Sequence, residues 1–208
     1  MTPNPDQTVP LRDDVKEQHL LAAASQAFME LGYAATSMDE VARRARASKT
    51  TLYSRFPSKE ALFAAAITCE CARQMPMNAT ELAGLSVEEA LRRIGRRFVD
   101  LIFSPEALRV ERIVTGEAAN FPEVAEVFYR SGPQRVTNAV ADYLAGASAR
   151  GELALSDPLF AAGQFLTSLK GKVHCEVTFG QRPLPSPEER DELVARTVDL
   201  FLNGARPR

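Results

Sequence analysis

Residues 32–63 read GYAATSMDEVARRARASKTTLYSRFPSKEALF, and this stretch predicts two short helices joined by a tight turn, followed by the start of a third. Ser37 is a good N-cap for the first helix, and Glu40, three positions later, completes a capping-box pattern. The apolar residues that follow have the i, i+3, i+4, i+7 spacing of a single helix face. They are Met38, Val41, Ala42 and Ala45.

A second N-cap, Ser48, begins the run from Lys49 to Phe56. Only Leu52 and Phe56, one turn apart, need to face inward in this helix. The outer side keeps long or hydrogen-bonding side chains, namely Lys49, Thr50, Tyr53 and Ser54. A short helix with such groups at its front, placed after another helix and a turn, is the arrangement of a helix-turn-helix. In that motif the second helix enters the DNA major groove with its N-terminal residues.

The same stretch closely resembles the DNA-binding domain of the TetR family of transcriptional regulators. The matching residues are Gly32-Tyr33, Thr36-Ser37-Met38, Val41-Ala42, Ala45, Ser48-Lys49, Thr51-Leu52-Tyr53, Phe56 and Ser58-Lys59-Glu60-Ala61-Leu62. The resemblance extends backward through a predicted helix at 14–31. One departure is Ala47, where the family usually places Val. Beyond residue 75 the chain is similar to the family only in its general plan.

The charge distribution favours the same interpretation. From Arg43 to Lys59 there are six basic residues and no acidic one. The whole chain carries a net charge of −2, so the residues outside this window carry −8. An acidic protein with one basic patch is expected to bind a polyanion locally. The alternative is an ordinary solvated helix face.

Composition sets the domain plan. With 208 residues, 45% of them hydrophobic and 25% charged, the chain can form one small and one medium domain. We expect a disordered arm at 1–13 and a DNA-binding domain at 14–75 with its helix-turn-helix at 37–56, and the family resemblance implies a ligand-binding and dimerisation domain at 76–208. No apolar run is long enough to cross a membrane, and a cytoplasmic location is expected.

The rest of the chain predicts helices only. Lys59 to Met75 forms a helix that joins the DNA-binding part to the remainder. Further helices are predicted at 86–103, from 105, at 122–150 with an interruption at Gly132-Pro133, at 158–179 and at 187–203. No segment alternates with the period of a strand. The predicted fold is all-α, with about nine helices.

Motifs for catalysis are missing. Gly171-Lys172 lacks the glycine at 166 and the hydroxyl residue at 173 that a P-loop needs, and neither G-x-S-x-G nor HExxH occurs. Cys69, Cys71 and Cys175 favour structural thiols, with redox sensing as the alternative. His19 and His174 are isolated in sequence. We therefore predict that the protein is not an enzyme, with no cofactor and no metal.

The last two long helices are apolar on more than one face, and both faces must be buried. The family resemblance implies that they pack against their two-fold mates as a four-helix bundle; the alternative is a thick monomer core. The expected interface residues are Phe160, Gln164, Ser168, Gly171, Val194, Thr197, Val198 and Phe201. Leu193 and Leu200 widen the apolar stripe of the last helix.

The resemblance also implies a small, mostly apolar effector bound inside the C-terminal domain. Candidate apolar lining residues are Phe98, Ile102, Ile113, Phe121, Phe128 and Phe165, and candidate polar ones are Arg112, Glu117, Asn120 and Asn138. Such aromatic positions also occur in ordinary cores, and Arg112 and Glu117 have the alternative of pairing with each other. The identity of the effector does not follow from these residues.

Candidate DNA contacts are Thr36, Ser37, Arg46, Lys49, Thr50, Thr51, Tyr53, Ser54 and Lys59. Lys49 and Thr50 are expected at base edges, and Tyr53 at a phosphate or a thymine methyl group. Thr36, Ser37 and Lys59 are expected at phosphates. The sequence thus predicts a homodimeric repressor that binds double-stranded DNA at an inverted repeat and responds to a small molecule. The alternatives are an activator or partner-controlled regulator of the same family, and an apolar-ligand carrier.

Overall fold

The computed structural model describes residues 10–75, 79–82 and 84–205. These residues form eleven helices and no strand. The helices are α1 (Pro10–Ala35), α2 (Met38–Arg44), α3 (Lys49–Arg55), α4 (Lys59–Gln74), α5 (Ala79–Leu82), α6 (Val87–Ile102), α7 (Pro105–Glu117), α8 (Pro122–Ser131), α9 (Pro133–Ala149), α10 (Pro158–Thr178) and α11 (Pro187–Ala205).

The all-α prediction is confirmed, and every predicted helix is present among the described residues. The count differs in two places: the helix predicted at 122–150 is divided into α8 and α9 at Gly132, and the four-residue α5 is additional. At the other end, α1 begins at Pro10, a residue that suits the first position of a helix. Residues 10–13 are therefore helical and not part of an arm, while 1–9 lie outside the described residues.

Two glycines interrupt long helices. Gly32 has φ 80° and ψ 170°, which ends the regular part of α1 and turns the chain toward α2. Gly171 has φ 45° and ψ −155° and kinks α10. Both values of φ lie in the left-handed region, where a side chain with a Cβ is strained.

The chain divides into two compact units. Unit 1 contains the described residues up to Cys69 together with Ile113–Ser131, and unit 2 contains Glu70–Arg112 and the described residues from Gly132 onward. The boundary predicted after residue 75 is a division by function and stays a prediction. By packing, α4 and α7 both pass from one unit to the other.

The core of unit 1 is aromatic where α1 meets α4. The Phe28 and Phe63 rings lie 5.0 Å apart edge to face, and the Tyr33 ring lies 5.3 Å from Phe63. Leu52 of α3 is fully buried, and Phe56 is 6% exposed. These inward residues hold the outer face of α3 in a fixed position.

Unit 2 is built around α6, which packs against α10 and α11. Its apolar stripe is buried and comprises Leu91, Ile94, Phe98, Leu101 and Ile102. A capping box formed by Ser86 and Glu89 begins this helix. Within the ranges that the structure describes, no helix combines the length and apolar character that a membrane crossing requires.

Candidate nucleic-acid interface

The first helix of the motif, α2, begins as predicted at Ser37, whose hydroxyl oxygen accepts a hydrogen bond from the Glu40 N–H at 3.1 Å. The reciprocal half of the predicted capping box is wrong, because the Glu40 carboxylate accepts from Arg43 and Arg44 instead. These hydrogen bonds, of which the one from Arg43 has the largest effect, lower the pKa of Glu40 to about 2. Glu40 thus orders the basic end of α2.

The turn between α2 and α3 is a Schellman motif. The Arg46 N–H donates to the Arg43 carbonyl at 3.2 Å, and the Ala47 N–H donates to the Ala42 carbonyl at 3.0 Å. Arg46 has φ 51°, in the left-handed conformation that usually requires glycine at this position. Its exposed side chain therefore stands on a tight, strained turn directly before the second helix.

The second helix, α3, presents the predicted outer face. Ser48 caps it by accepting from the Thr51 N–H at 3.1 Å. Lys49, Thr50 and Ser54 are exposed, and Tyr53 is 48% exposed. Thr51 is half-buried, and its hydroxyl lies 2.8 Å from that of Ser48. The front of α3 can therefore reach a partner without any rearrangement of the backbone.

Thr36 is not available for the predicted phosphate contact. It is 2% exposed, and its hydroxyl donates to the Gly32 carbonyl at 2.7 Å and lies 3.2 Å from the Ala27 carbonyl. The cause is the break at Gly32, which folds the chain back over the end of α1. The Thr36 side chain therefore satisfies backbone carbonyls inside unit 1.

We expect Thr36→Val to destabilise the protein by about 1–2 kcal/mol, since it removes a buried hydrogen bond without changing side-chain volume. Urea unfolding measures this loss, and the exposed Thr50→Val is the matched control, expected within about 0.5 kcal/mol of the parent. Unchanged stability together with weaker binding of all DNA sequences alike would instead assign the hydroxyl to a phosphate.

Lys59 is also predicted to contact a phosphate, but in the structure its ammonium group contacts residues of unit 1. Its Nζ donates to the Ala34 carbonyl at 3.2 Å and lies 4.2 Å from the centre of the Tyr33 ring. The Tyr33 hydroxyl in turn donates to Glu60 at 2.9 Å. Burial lowers the pKa of Lys59. A phosphate contact by this ammonium stays a prediction, and it has to compete with these contacts.

Four of the six basic residues between Arg43 and Lys59 form ion pairs with carboxylates from outside that window. The pairs are Arg43–Glu40, Arg44–Glu30 and Arg44–Glu40, Lys49–Asp39, and Arg55–Glu17. The positive charge of the basic patch predicted from the sequence is therefore largely neutralised by neighbouring carboxylates in the free protein. Among these pairs, only Lys49–Asp39 has both side chains exposed, whereas Arg44 and Arg55 are 18% and 22% exposed. Exposed ion pairs contribute only about 0.2–1 kcal/mol, so a phosphate can replace the carboxylate of Asp39.

The ten candidate ligand residues are divided between the two units. Phe98, Ile102 and Phe165 are buried in the core of unit 2, and Arg112 and Asn138 are exposed residues of the same unit. The other five lie in unit 1: Ile113, Glu117, Phe121 and Phe128 are half-buried, and Asn120 is exposed. The Phe121 ring lies 6.3 Å from that of Tyr33. Neither unit alone holds the whole predicted lining.

A polar cluster in unit 2 was not predicted from the sequence. Glu111 of α7 lies 3.1 Å from the Lys170 ammonium and 3.1 Å from His174 Nε2. His174 is 7% exposed, and its ring centre lies 5.7 Å from that of Phe103. The pKa of Glu111 is lowered to about 2, and the hydrogen bond with His174 is the largest cause. The available signal was the i, i+4 spacing of Lys170 and His174 on one face of α10.

The predicted dimer residues separate into two groups. Phe160, Gln164, Ser168 and Gly171 are exposed along α10. On α11 the prediction is wrong for three residues that the protomer's own core covers, namely Val194, Thr197 and Val198, which are 3%, 7% and 0% exposed. Phe201 is half-buried, with its ring 5.2 Å from that of Phe165. The large apolar side chain that α11 exposes is instead that of Leu200, which is 72% exposed.

Two family models match the chain in succession. The model of bacterial regulatory proteins of the tetR family matches residues 20–66, which contain the helix-turn-helix. The model of the AefR-like transcriptional repressor C-terminal domain matches residues 89–204. Together they place a family domain on each side of α5.

Solved structures match almost the whole chain. The flavonoid-responsive regulator FrrA is 36% identical, with a TM-score of 0.73 over 94% of this chain and 99% of FrrA. A candidate TetR-family regulator from Mesorhizobium loti MAFF303099 is 26% identical, with a TM-score of 0.78 over the same shares of the two chains.

The curated relatives match over the DNA-binding segment. The transcriptional activator FasR of Mycolicibacterium smegmatis is 46% identical over 54 residues, which are 26% of this chain and 25% of FasR. The chain thus spans about a quarter of the length of this relative. Since the family models and FrrA extend over most of the chain, the protein belongs to the TetR family of transcriptional regulators and is a DNA-binding regulator.

Proposed function

We propose that the protein is a homodimeric repressor that binds an inverted repeat and is released from it by a small, mostly apolar ligand. The observation that carries the DNA-binding part is the exposed front of α3, where Lys49 and Thr50 stand on a helix fixed by the buried Leu52. Lys49 and Thr50 contact base edges, Tyr53 reaches a phosphate or a thymine methyl group, and Ser37 and Lys59 contact phosphates.

Lys49→Ala tests this assignment. We expect the variant to lose about 1–3 kcal/mol of operator binding and to relax the sequence preference at one position, because a lysine at a base edge reads guanine acceptors. Selection of bound duplexes from a random library, followed by titration, measures both effects. Lys59→Ala is the control: it should weaken all sequences alike and make the salt slope shallower by about one. A changed preference for Lys59→Ala alone would reverse the assigned roles.

The proposal requires two copies. A seven-residue recognition helix reads only a few base pairs, and two copies related by a dyad place their helices about 34–36 Å apart, in successive major grooves. The exposed apolar residues that a second copy would cover are Leu159 and Phe160 on α10 and Leu200 on α11, which are 55%, 63% and 72% exposed.

Release by a ligand is supported by two similarities. The C-terminal model that matches is that of a repressor, and FrrA is flavonoid-responsive by its name. Flavonoids are planar aromatic molecules with phenolic hydroxyl groups, and the family resemblance implies a small, apolar or amphipathic ligand. We propose a planar aromatic or similarly amphipathic effector, which makes flavonoids the first compounds to test.

Two helices are available to transmit the response. The helix α4 continues from unit 1 into unit 2, and α7 continues from unit 2 into unit 1, at Arg112 and Ile113. A ligand that binds only one arrangement of these helices shifts the protein toward that arrangement, and operator affinity changes if the operator favours the other one.

Weakening of operator binding by 100-fold needs about 2.7 kcal/mol of coupling, and ligand and operator must then weaken each other equally. Titration of a flavonoid panel against the protein, with and without operator duplex, measures this coupling. Equal affinity in the two titrations, for a flavonoid that binds, would leave a DNA-binding protein without this switch.

Activation is the second candidate function, because FasR, which matches the DNA-binding segment, is an activator. A reporter gene downstream of the operator separates the two: repression requires output to rise when the protein is deleted, and activation requires it to fall. A specific shift of operator DNA by the protein excludes the third alternative, an apolar-ligand carrier. We place the protein in the cytoplasm, where the DNA is.

A further inference from the structure

The ammonium group at the front of the recognition helix already has a partner. Lys49 is the first residue of α3, and its Nζ donates to Asp39 Oδ2 at 2.6 Å. Asp39 is the second residue of α2, so the ion pair crosses the turn and joins the fronts of both helices. The Asp39 carboxylate raises the pKa of Lys49. The adjacent carboxylate, that of Glu40, binds Arg43 and Arg44 instead.

The pair is exposed and therefore exchangeable. The two side chains are 66% and 58% exposed, and such pairs are weak enough for another acceptor to replace the carboxylate. Once Lys49 moves to DNA, however, Asp39 keeps its charge beside a polyanion. In the major groove a carboxylate can accept only from the amino groups of cytosine and adenine, while most other groups that it meets are acceptors.

We infer that Asp39 is a specificity-determining residue, whose carboxylate holds Lys49 back from the phosphates of unrelated DNA. It releases the ammonium where the operator offers an acceptor for Lys49 and an amino group near Asp39. The carboxylate thus lowers affinity for random sequence more than affinity for the operator, which raises the ratio between them. This inference rests on the proposed contact of Lys49 with base edges.

Asp39→Asn in the full-length protein tests the inference. The probes are a duplex selected from a random library by the unmodified protein and a scrambled duplex of the same base composition. We expect affinity for the scrambled duplex to rise about three- to tenfold, with a salt slope steeper by about one, because the freed Lys49 neutralises one more phosphate. Affinity for the selected duplex should change less, so the ratio of the two affinities falls.

Two controls isolate the mechanism. Glu126→Gln removes the same charge from an exposed ion pair with Arg130 in the same unit, and it should leave the ratio unchanged. In a Lys49→Gln background, Asp39→Asn should no longer change the ratio, because the effect acts through the pair. Circular dichroism and thermal unfolding check that each variant is folded.

The outcomes separate the two proposals. If the unmodified protein selects no sequence, the proposed function fails, and the inference fails with it. If a sequence is selected but Asp39→Asn leaves the ratio of the two affinities unchanged, only the inference is overturned. The same holds if Asp39→Asn lowers this ratio as much in the Lys49→Gln background as in the unmodified protein. An equal effect of Glu126→Gln would likewise overturn it, by showing that net charge alone sets the ratio.

Discussion

Replacing Phe160 and Leu200 together with glutamate is expected to convert the protein to a monomer and to weaken operator binding at least about 100-fold, because each protomer then reads only half of the inverted repeat. Both side chains are largely exposed in the single chain, on α10 and α11 respectively. Placing two charges from each copy in an apolar interface requires their desolvation, which is costly for unpaired charges. Analytical ultracentrifugation and titration of operator duplex measure the two effects.

The choice of these two positions follows from the structure. Glutamate at Phe201 would disturb the protomer core beside Phe165, and glutamate at Gly171 would strain a backbone with φ 45°. Neither substitution would distinguish assembly from folding. The control is Tyr129→Glu, which places one glutamate at a 57% exposed position on α8 and should remain dimeric. A dimeric Phe160→Glu/Leu200→Glu variant, or a monomer with unchanged operator affinity, would contradict the proposed interface.

Gly95→Val is expected to destabilise the protein by about 2–3 kcal/mol through overpacking. Gly95 lies in the middle of α6 on its buried side, and a Cβ there would be 3.0 Å from Val194 Cγ1 and 3.6 Å from both Leu169 Cδ1 and Phe165 Cζ. The larger side chain therefore has to push α6 away from α10 and α11. A protein of this size should then lose about 4–12 °C in Tm.

Gly116→Val serves as the matched control for this prediction. Gly116 is an exposed helical glycine of α7, with nothing within 4 Å of an added Cβ. Its replacement should leave the unfolding free energy unchanged or slightly higher, because valine favours a helix more than glycine does. If both variants unfold at the same denaturant concentration, the contact between α6 and α11 is loose enough to accept the larger side chain.

The recognition helix is the part that the sequence predicts best. The spacing of Leu52 and Phe56 allows only one face of a short helix to be buried, and this leaves Lys49, Thr50, Tyr53 and Ser54 outside. The structure has the same arrangement. The information is local: an N-cap, a turn and two apolar residues determine which side chains point outward.

The misassigned residues depend on distant contacts. Thr36 looks like a surface N-terminal residue in sequence, but the left-handed Gly32 turns its hydroxyl onto the end of α1. The apolar stripe of α11 fits a protomer core as well as a partner subunit, and Val194 shows that the core is used. Likewise, Glu17 and Glu30 neutralise arginines that are 38 and 14 residues away along the chain. Periodicity carries no information on such pairings.

The chain order of unit 1 bears on how this protein can be recombined with its relatives. A chimera with a single junction after residue 75 would receive new α1–α4 but keep the old segment Ile113–Ser131, which belongs to the same compact unit. In that segment Glu117 Oε1 lies 3.2 Å from where a Cβ at Gly32 would be, and Phe121 lies beside Tyr33. We therefore expect a DNA-binding domain exchanged between homologues to pack properly only when α1–α4 and Ile113–Ser131 come from the same parent. We accordingly expect a new operator preference to arise more readily by point substitution on α3 than by exchange of whole domains.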